Sequence, residues 1–153
     1  MTTLSRNAPS SPKFKSWHFD RSAIVYVRQS TPQQVLEHQE STARQYALTD
    51  RAVNLGWLRP QVQVIDNDLG KSGQSIEGRP GFQRLLAEVA LDRVGLILGL
   101  EMSRLARSCK DWQHLIDLCA RFRVLLADAE SIYDPTEYSD RLLLGLTGMM
   151  NNA

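Results

Sequence analysis

The chain has 153 residues, a net charge of +1 at pH 7, 42% hydrophobic residues and 7% aromatic residues. This length fits one domain with a sizeable core, and the composition is ordinary for a soluble globular protein. No apolar stretch approaches the roughly 18 to 20 residues that span a bilayer, and the N-terminus lacks the apolar core of a signal peptide. These features exclude a membrane protein and predict a cytoplasmic one.

The side chains that commonly bind metals do not form a recognisable site. Cys109 and Cys119 match no zinc or redox spacing and suit a reducing compartment. The three histidines are scattered and form no ligand pair with them, so we predict no structural metal. Among the basic residues, Arg heavily outnumbers Lys. The planar donor fork of Arg matches phosphate oxygens, although surface ion pairs use it as well.

Taken in chain order, residues 1–21 combine Ser, Pro, Asn and Lys with few apolar positions, which predicts a flexible leader. One domain is expected over residues 22–153, ending within its last helix. The apolar, β-branched run at residues 23–27 predicts the first strand. Four helices are predicted: over 33–55, from Pro80, over 111–122, and from Tyr138 to the chain end. Gly56 is the predicted terminator of the first helix. Further strands are predicted over 61–65, 94–100 and 124–127.

This alternation of strands and helices predicts an α/β fold with a mainly parallel central sheet of four to five strands, flanked by helices on both faces. Right-handed crossovers bring the carboxyl ends of parallel strands to one edge of the sheet. The first and third strands would therefore deliver Ser30 and the segment after Leu100 to the same rim.

The first strand ends in the pentad Tyr26-Val27-Arg28-Gln29-Ser30. Strand alternation points Tyr26, Arg28 and Ser30 to the same side, and the carboxyl ends of strands are where open α/β sheets usually bind ligands. A weak nucleophile beside a fixed positive charge suits attack on a phosphodiester. The alternative is a strand end that simply becomes polar as it reaches water.

More arginines follow the other predicted strands. Arg104 and Arg107 are three residues apart and would face the same way on a helical turn, and Arg79 precedes a helix after a glycine-rich loop. Together with Arg28 they could converge on one anion near Ser30, which would offset the repulsion between like charges.

Two of these features also have a structural interpretation. Arg104 and Arg107 could form ion pairs with Glu101 and Asp111. The glycine-rich loop over residues 66–78 could be either a mobile flap of an active site or a plain connector.

In this order and at these spacings, the motifs resemble those of the catalytic domain of the serine recombinases, the resolvase/invertase family. The matching elements are Tyr26-x-Arg28-x-Ser30, Gln39, Ser72-Gly73, Gly78-Arg79-Pro80-Gly81-Phe82, Ser103-Arg104-Leu105-Ala106-Arg107-Ser108 and Asp134-Pro135. The pattern around Gln39 and Arg79 is more similar to the transposon and large-recombinase branch than to the small resolvases.

The resemblance implies a role for each matching residue. Ser30 would be the nucleophile that attacks DNA and forms a 5′-phosphoserine bond, and Gln39 would position the phosphate or Ser30. The residues that would hold the scissile phosphate are Arg28, Arg79, Arg104 and Arg107. Tyr26, Asp68 and Ser103 are further candidates for supporting roles.

One position departs from the family pattern. Many members carry Asp immediately before the first arginine of the Arg-Leu-x-Arg stretch, where this chain has Ser103. The identity of the general acid or base therefore stays open. Asp66 or Asp68 could substitute, although Asp68 is equally a turn former.

The resemblance also implies the partners. They are double-stranded DNA and further copies of the chain, as a homodimer that becomes a tetramer in the synaptic complex, with no ATP, metal or other cofactor and no membrane. The family's DNA-binding domain would lie outside this chain, and a net charge of +1 predicts weak, salt-sensitive DNA binding. The alternative function is a non-catalytic remnant or regulatory module that uses the fold for dimerisation or DNA association.

Overall fold

A computed structural model describes residues 13–27, 39–66, 80–100, 102, 105–106 and 108–151. The helices are α1 (Gln39–Tyr46), α2 (Leu48–Leu55), α3 (Pro80–Ala90), α4 (Cys109–Phe122) and α5 (Tyr138–Asn151). The strands are β1 (Ser22–Tyr26), β2 (Val62–Ile65), β3 (Val94–Leu98), β4 (Leu125–Ala127) and β5 (Ile132–Tyr133). Two short 3-10 helices, Ser16–Asp20 and Arg59–Gln61, precede β1 and β2.

The five strands form one sheet in the order β2-β1-β3-β4-β5. The pairs from β2 to β4 are parallel, and β5 is antiparallel to β4. This arrangement confirms the predicted mainly parallel α/β sheet. It also adds β5, a two-residue strand that was not among the predicted strands.

The sheet separates two buried cores. Alternation along β1 sends Ile24 and Tyr26 into the core shared with α3 and α4, whereas Val25 enters the core shared with α2. All three side chains are at most 1% exposed. A strand that is covered on both faces is apolar along its whole length, and this is why β1 and β3 are easily recognised in the sequence.

The predicted elements agree with the observed ones to within two residues, apart from the first helix. In place of one helix over 33–55, the described part of that range forms α1 and α2, which meet at Ala47. The amide of Asp50 donates to the carbonyl of Ala47, an i to i−3 bond that tightens the backbone there. Gly56 ends α2 with a φ of 132°, as predicted for a glycine terminator.

The predicted flexible leader is wrong for residues 13–21, which pack on the sheet; residues 1–12 lie outside the described residues. Phe14 and Phe19 are only 5% and 4% exposed, and their rings lie 5.6 and 4.5 Å from that of Trp57. At Gly95, a Cβ atom would lie 2.4 Å from the carbonyl oxygen of His18. The aromatic residues of this segment pack on a surface formed by residues that are distant in the sequence, such as Trp57.

The described helices include none that is both long enough and apolar enough to span a membrane.

Candidate active site at the carboxyl edge of the sheet

The carboxyl ends of three neighbouring strands meet at one edge. Tyr26 pairs with Ile65 and Val25 pairs with Leu98, so β1 lies between the ends of β2 and β3. The amide of Val27 donates to the carbonyl of Ile65 at 2.9 Å, which extends the pairing just beyond β1. The chain therefore leaves β1, β2 and β3 at the same edge, as the handedness rule predicted.

The beginning of α3 is fixed against the end of β1. Tyr26 is 1% exposed, and its ring lies 6.1 Å from that of Phe82 at an interplanar angle of 61°. This edge-to-face arrangement is favourable for two aromatic rings. Because Pro80 is the first residue of α3, residue 79 is joined directly to a helix start that is packed beside the site edge.

The segment after β3 folds back onto the same core. Met102, Leu105 and Ala106 are at most 4% exposed, and the amide of Leu105 donates to the carbonyl of Met102 at 3.2 Å. The return is close at Gly99, where a Cβ would lie 2.6 Å from Leu105 Cδ2 and would require the Leu105 side chain to move. Positions 104 and 107 directly flank the buried pair Leu105 and Ala106, so two candidate arginines adjoin a fixed anchor.

Ser108, which directly follows the Arg-Leu-x-Arg stretch, is the N-cap of α4. Its Oγ accepts a hydrogen bond from the amide of Asp111 at 3.1 Å, and its backbone is extended. An N-cap of this kind satisfies one of the free amides at a helix start and stabilises the helix by roughly 1 kcal/mol. The cap fixes where the segment from the site edge joins α4.

A tyrosine that was not among the predicted site residues connects α1 to the site edge. Tyr46 Oη donates to Asp66 Oδ2 at 2.5 Å, and this bond raises the pKa of Tyr46 to about 12. Asp66 directly follows β2, so the bond joins the C-terminal end of α1 to the beginning of the glycine-rich loop. Asp66, one of the two acids considered for proton transfer, therefore accepts a hydrogen bond from Tyr46 in this structure.

The Resolvase, N terminal domain family matches residues 23–153 of this sequence. The chain belongs to that family. The matched residues include all the described strands except the first residue of β1, together with the segments that leave the candidate edge.

Solved structures similar to this resolvase domain are serine recombinase catalytic domains. The N-terminal catalytic domain of TP901-1 integrase is 25% identical, with 86% of this chain and 94% of that one covered and a TM-score of 0.60. A resolvase family site-specific recombinase from Streptococcus pneumoniae is 26% identical, with 85% of each chain covered and a TM-score of 0.53. The C-terminal catalytic domain of ISC1926 TnpA, an IS607-like serine recombinase, shares the fold at 17% identity, with 86% of this chain and 99% of that one covered and a TM-score of 0.54.

A curated relative from Sinorhizobium fredii, the protein y4bA/y4pH, is 54% identical to the resolvase domain over 136 residues. The match covers 89% of this chain and 20% of the relative, so the chain spans about a fifth of the length of that protein.

The predicted site residues of the resolvase domain fall into two groups. Tyr26 is a core residue at the end of β1, and Gln39 is the first residue of α1. The others lie outside the described residues, and their roles stay predictions: Arg28, Ser30, Asp68, Arg79, Ser103, Arg104 and Arg107. The structure brings together the elements that carry these positions, at the ends of β1 and β3 and the start of α3.

Proposed function

We propose that this resolvase domain is the catalytic domain of a site-specific DNA recombinase that cleaves DNA with Ser30. The observation that carries the proposal is the meeting of β1, the start of α3 and the buried residues Met102, Leu105 and Ala106 at one edge of the sheet. Each of these elements is followed or preceded in the sequence by a candidate catalytic residue. The ordered motifs and the family match support the same assignment.

In the proposed reaction, the oxygen of Ser30 attacks a backbone phosphorus of the DNA. A bond forms between this oxygen and phosphorus, and the bond from phosphorus to the 3′ oxygen breaks. The proton lost by the serine is balanced by the proton that the leaving 3′ oxygen gains. After strand exchange, a 3′ hydroxyl attacks the 5′-phosphoserine and regenerates Ser30, so the phosphodiester is restored without an external energy source.

Arginines supply the electrostatic part of the proposed catalysis. Charge increases on the non-bridging phosphate oxygens in the transition state, where fixed donors stabilise it. We assign this role to Arg28, Arg79, Arg104 and Arg107, with Gln39 as a positioning residue. Loss of one donor of this kind typically costs about 2.7 to 4 kcal/mol of barrier, or a factor of roughly 10² to 10³ in rate.

The chemistry predicts the polarity of the covalent intermediate. In the experiment, the full-length natural protein that contains this domain is incubated with DNA from the ends of its own element. The products are then denatured, and the 5′ and 3′ ends of the DNA are labelled separately. We expect protein attached to 5′ ends and free 3′ hydroxyls that a polymerase can extend. Protein attached to 3′ ends would contradict the proposed direction of attack. Protease digestion and mass spectrometry of the 5′ species should locate the phosphate on Ser30.

The homodimer is proposed from an apolar stripe on α5. Tyr138, Leu142 and Leu146 are spaced four residues apart and are 84%, 54% and 52% exposed. They line a shallow groove of about 370 Å³ with Gly145 and with Arg141, which forms an ion pair with Asp117. Leu144, on the other side of the helix, is fully buried in the core. A helix with apolar residues on both sides needs a second partner, and a self-complementary stripe favours a two-fold dimer.

The stripe gives a test with a matched control. We expect Leu142→Glu with Leu146→Glu to shift the chain from dimer to monomer in sedimentation velocity, because carboxylates cannot be buried in an apolar interface without a partner. The control is Leu58→Glu with Leu91→Glu, at leucines that are 57% and 56% exposed outside the stripe. Equal effects of the two double variants, or no change in either, would show that the stripe is not the interface.

A further inference from the structure

A basic cleft lies at the amino edge of the sheet, away from the candidate active site. It consists of two adjoining hollows of about 450 and 390 Å³ that share Trp17, Arg121 and Arg123. Its walls come from the 3-10 helix before β1 and from the end of α4, which leads into β4. Five cationic side chains line it: Lys13, Lys15, Arg21, Arg121 and Arg123.

The positive charge of this cleft is only partly neutralised. Arg21 forms an ion pair with Asp92 at 3.1 Å, and Lys13 forms one with Asp140 at 2.8 Å. In the described part of the chain, Lys15, Arg121 and Arg123 form no ion pair. The dipole at the C-terminus of α4 favours positive charge and can explain why Arg121 and Arg123 lie there. It does not explain Lys15, which comes from a different element.

Both acidic residues that line the basic cleft contact other groups of the chain. Asp92 is bound to Arg21, and Asp134 Oδ1 accepts hydrogen bonds from the amide and the Oγ1 of Thr136 at 2.9 and 2.6 Å. The donors to Asp134 are neutral, so Asp134 offsets one positive charge of the cleft and Asp92 offsets another, which leaves an excess among the five cations. A mobile anion from solution is the natural partner for the excess charge.

The wall of the cleft is held in a fixed conformation. The Trp17 ring lies 3.9 Å from that of His18, and the Arg21 guanidinium lies 4.9 Å from the centroid of the Trp17 ring. Arg21 also donates to the carbonyl of Phe122 at 3.0 Å, and His18 Nε2 lies 3.1 Å from the carbonyl oxygen of Arg123. These contacts fix the backbone segments that carry Lys15, Arg121 and Arg123, so an anion that binds there does not have to order the main chain.

The cleft and the candidate active site lie at opposite ends of β1. The five residues of this strand rise about 3.3 Å each, so the two edges of the sheet are roughly 15 Å apart or more. A straight duplex that lies across the carboxyl edge therefore cannot also contact the amino edge. With the cleaved DNA in that orientation, DNA in the basic cleft is a different segment.

We infer that the basic cleft binds the phosphate backbone of a second DNA segment, through Lys15, Arg121 and Arg123. The choice of DNA over an acidic protein rests on the proposed recombinase function, which brings DNA to this domain at high local concentration. Guanidinium groups bind phosphate oxygens through paired donors, which suits two arginines at one helix end. The candidate active site at the carboxyl edge would at the same time bind the DNA that is cleaved.

The test is a titration of the 153-residue chain, labelled with ¹⁵N, with a 16-bp duplex of arbitrary sequence at low salt. The indole N–H of Trp17 reports on the cleft, and the amides of Asp66 and Gly99 report on the candidate active site. We expect the Trp17 signal to shift. Shifts at Trp17 without shifts at Asp66 and Gly99 would support the cleft while counting against the proposed function, and the reverse pattern would overturn the cleft alone.

A charge-matched pair of variants makes the test specific. Lys15→Gln with Arg121→Gln should abolish the Trp17 shift and reduce the slope of log Kobs against log salt by about 2, because each lost phosphate contact releases one counterion fewer. Arg59→Gln with Arg84→Gln removes the same charge outside the cleft and should leave the Trp17 shift intact. Equal losses in both pairs, or a Trp17 shift with poly-glutamate but not with the duplex, would overturn the inference.

Discussion

Ser30→Ala is expected to abolish the covalent protein–DNA species while leaving DNA binding in place. Alanine keeps the backbone and removes only the oxygen that would form the bond to phosphorus, so no other group in the proposed site can replace it. Loss of a nucleophile typically costs a catalytic site several orders of magnitude in rate. The measurement is the yield of protein attached to labelled DNA after denaturation, on DNA that a gel-shift assay shows both proteins to bind.

Ser22→Ala is the matched control for this experiment. Ser22 lies at the amino end of the same strand, where its Oγ accepts a hydrogen bond from Gln63 Nε2 at 3.1 Å. The same atom is removed from the same strand, about 15 Å or more from the proposed reaction. We expect a normal yield of adduct. An adduct that persists in Ser30→Ala would refute the assignment of the nucleophile, and absence of an adduct in wild type on bound DNA would favour a non-catalytic module.

The placement of the candidate edge could be predicted because it depends on local signals and a handedness rule. The apolar runs of β1 and β3 and the proline at the start of α3 are recognisable within a few residues of sequence. Right-handed crossovers then bring the strand ends together whatever the loops contain. The Tyr26–Phe82 contact follows from the same two elements, since both residues are apolar positions beside predicted ends.

The packing of residues 13–21 could not be predicted in this way. Phe14, Trp17 and Phe19 alternate irregularly with polar residues and do not mark a regular strand or helix. Phe14 and Phe19 are buried because Trp57 and the open backbone at Gly95 lie beside them in the fold, and these residues are distant in the sequence. Local pattern carries no information about such a surface, so a composition rich in Ser and Pro was misread as a flexible leader.

The Tyr46–Asp66 bond shows the same limit at the candidate site. The two residues are 20 positions apart, and their contact depends on where α1 ends relative to β2. A tyrosine at a loosely apolar helical position gives no sign of this in the sequence. The prediction of a single helix over 33–55 also missed the boundary at Ala47, so it did not show that Tyr46 is the last residue of a helix. Positioning residues of this kind become visible only once the register of the elements is known.

Trp112→Ala is expected to lower the free energy of unfolding by about 3 to 5 kcal/mol, the range for truncation of a large buried aromatic residue. Trp112 is 1% exposed, and its Nε1 donates to the carbonyl of Leu144 at 2.7 Å within the core. The side chain therefore packs α4 and also fastens α5 to it. The measurement is urea unfolding followed by circular dichroism, which does not depend on the lost tryptophan fluorescence.

Trp112→Phe separates the two contributions of this residue. Phenylalanine keeps most of the buried area but cannot donate to Leu144, so we expect a loss of about 1 to 2 kcal/mol. If α5 is fastened mainly by that hydrogen bond, Trp112→Phe should also weaken dimerisation through the stripe of Leu142 and Leu146, because the helix that presents the stripe would be less firmly held. Unchanged stability in both variants would contradict the packing described for α4 and α5. A stable Trp112→Phe chain that still forms dimers would show that packing alone orients α5.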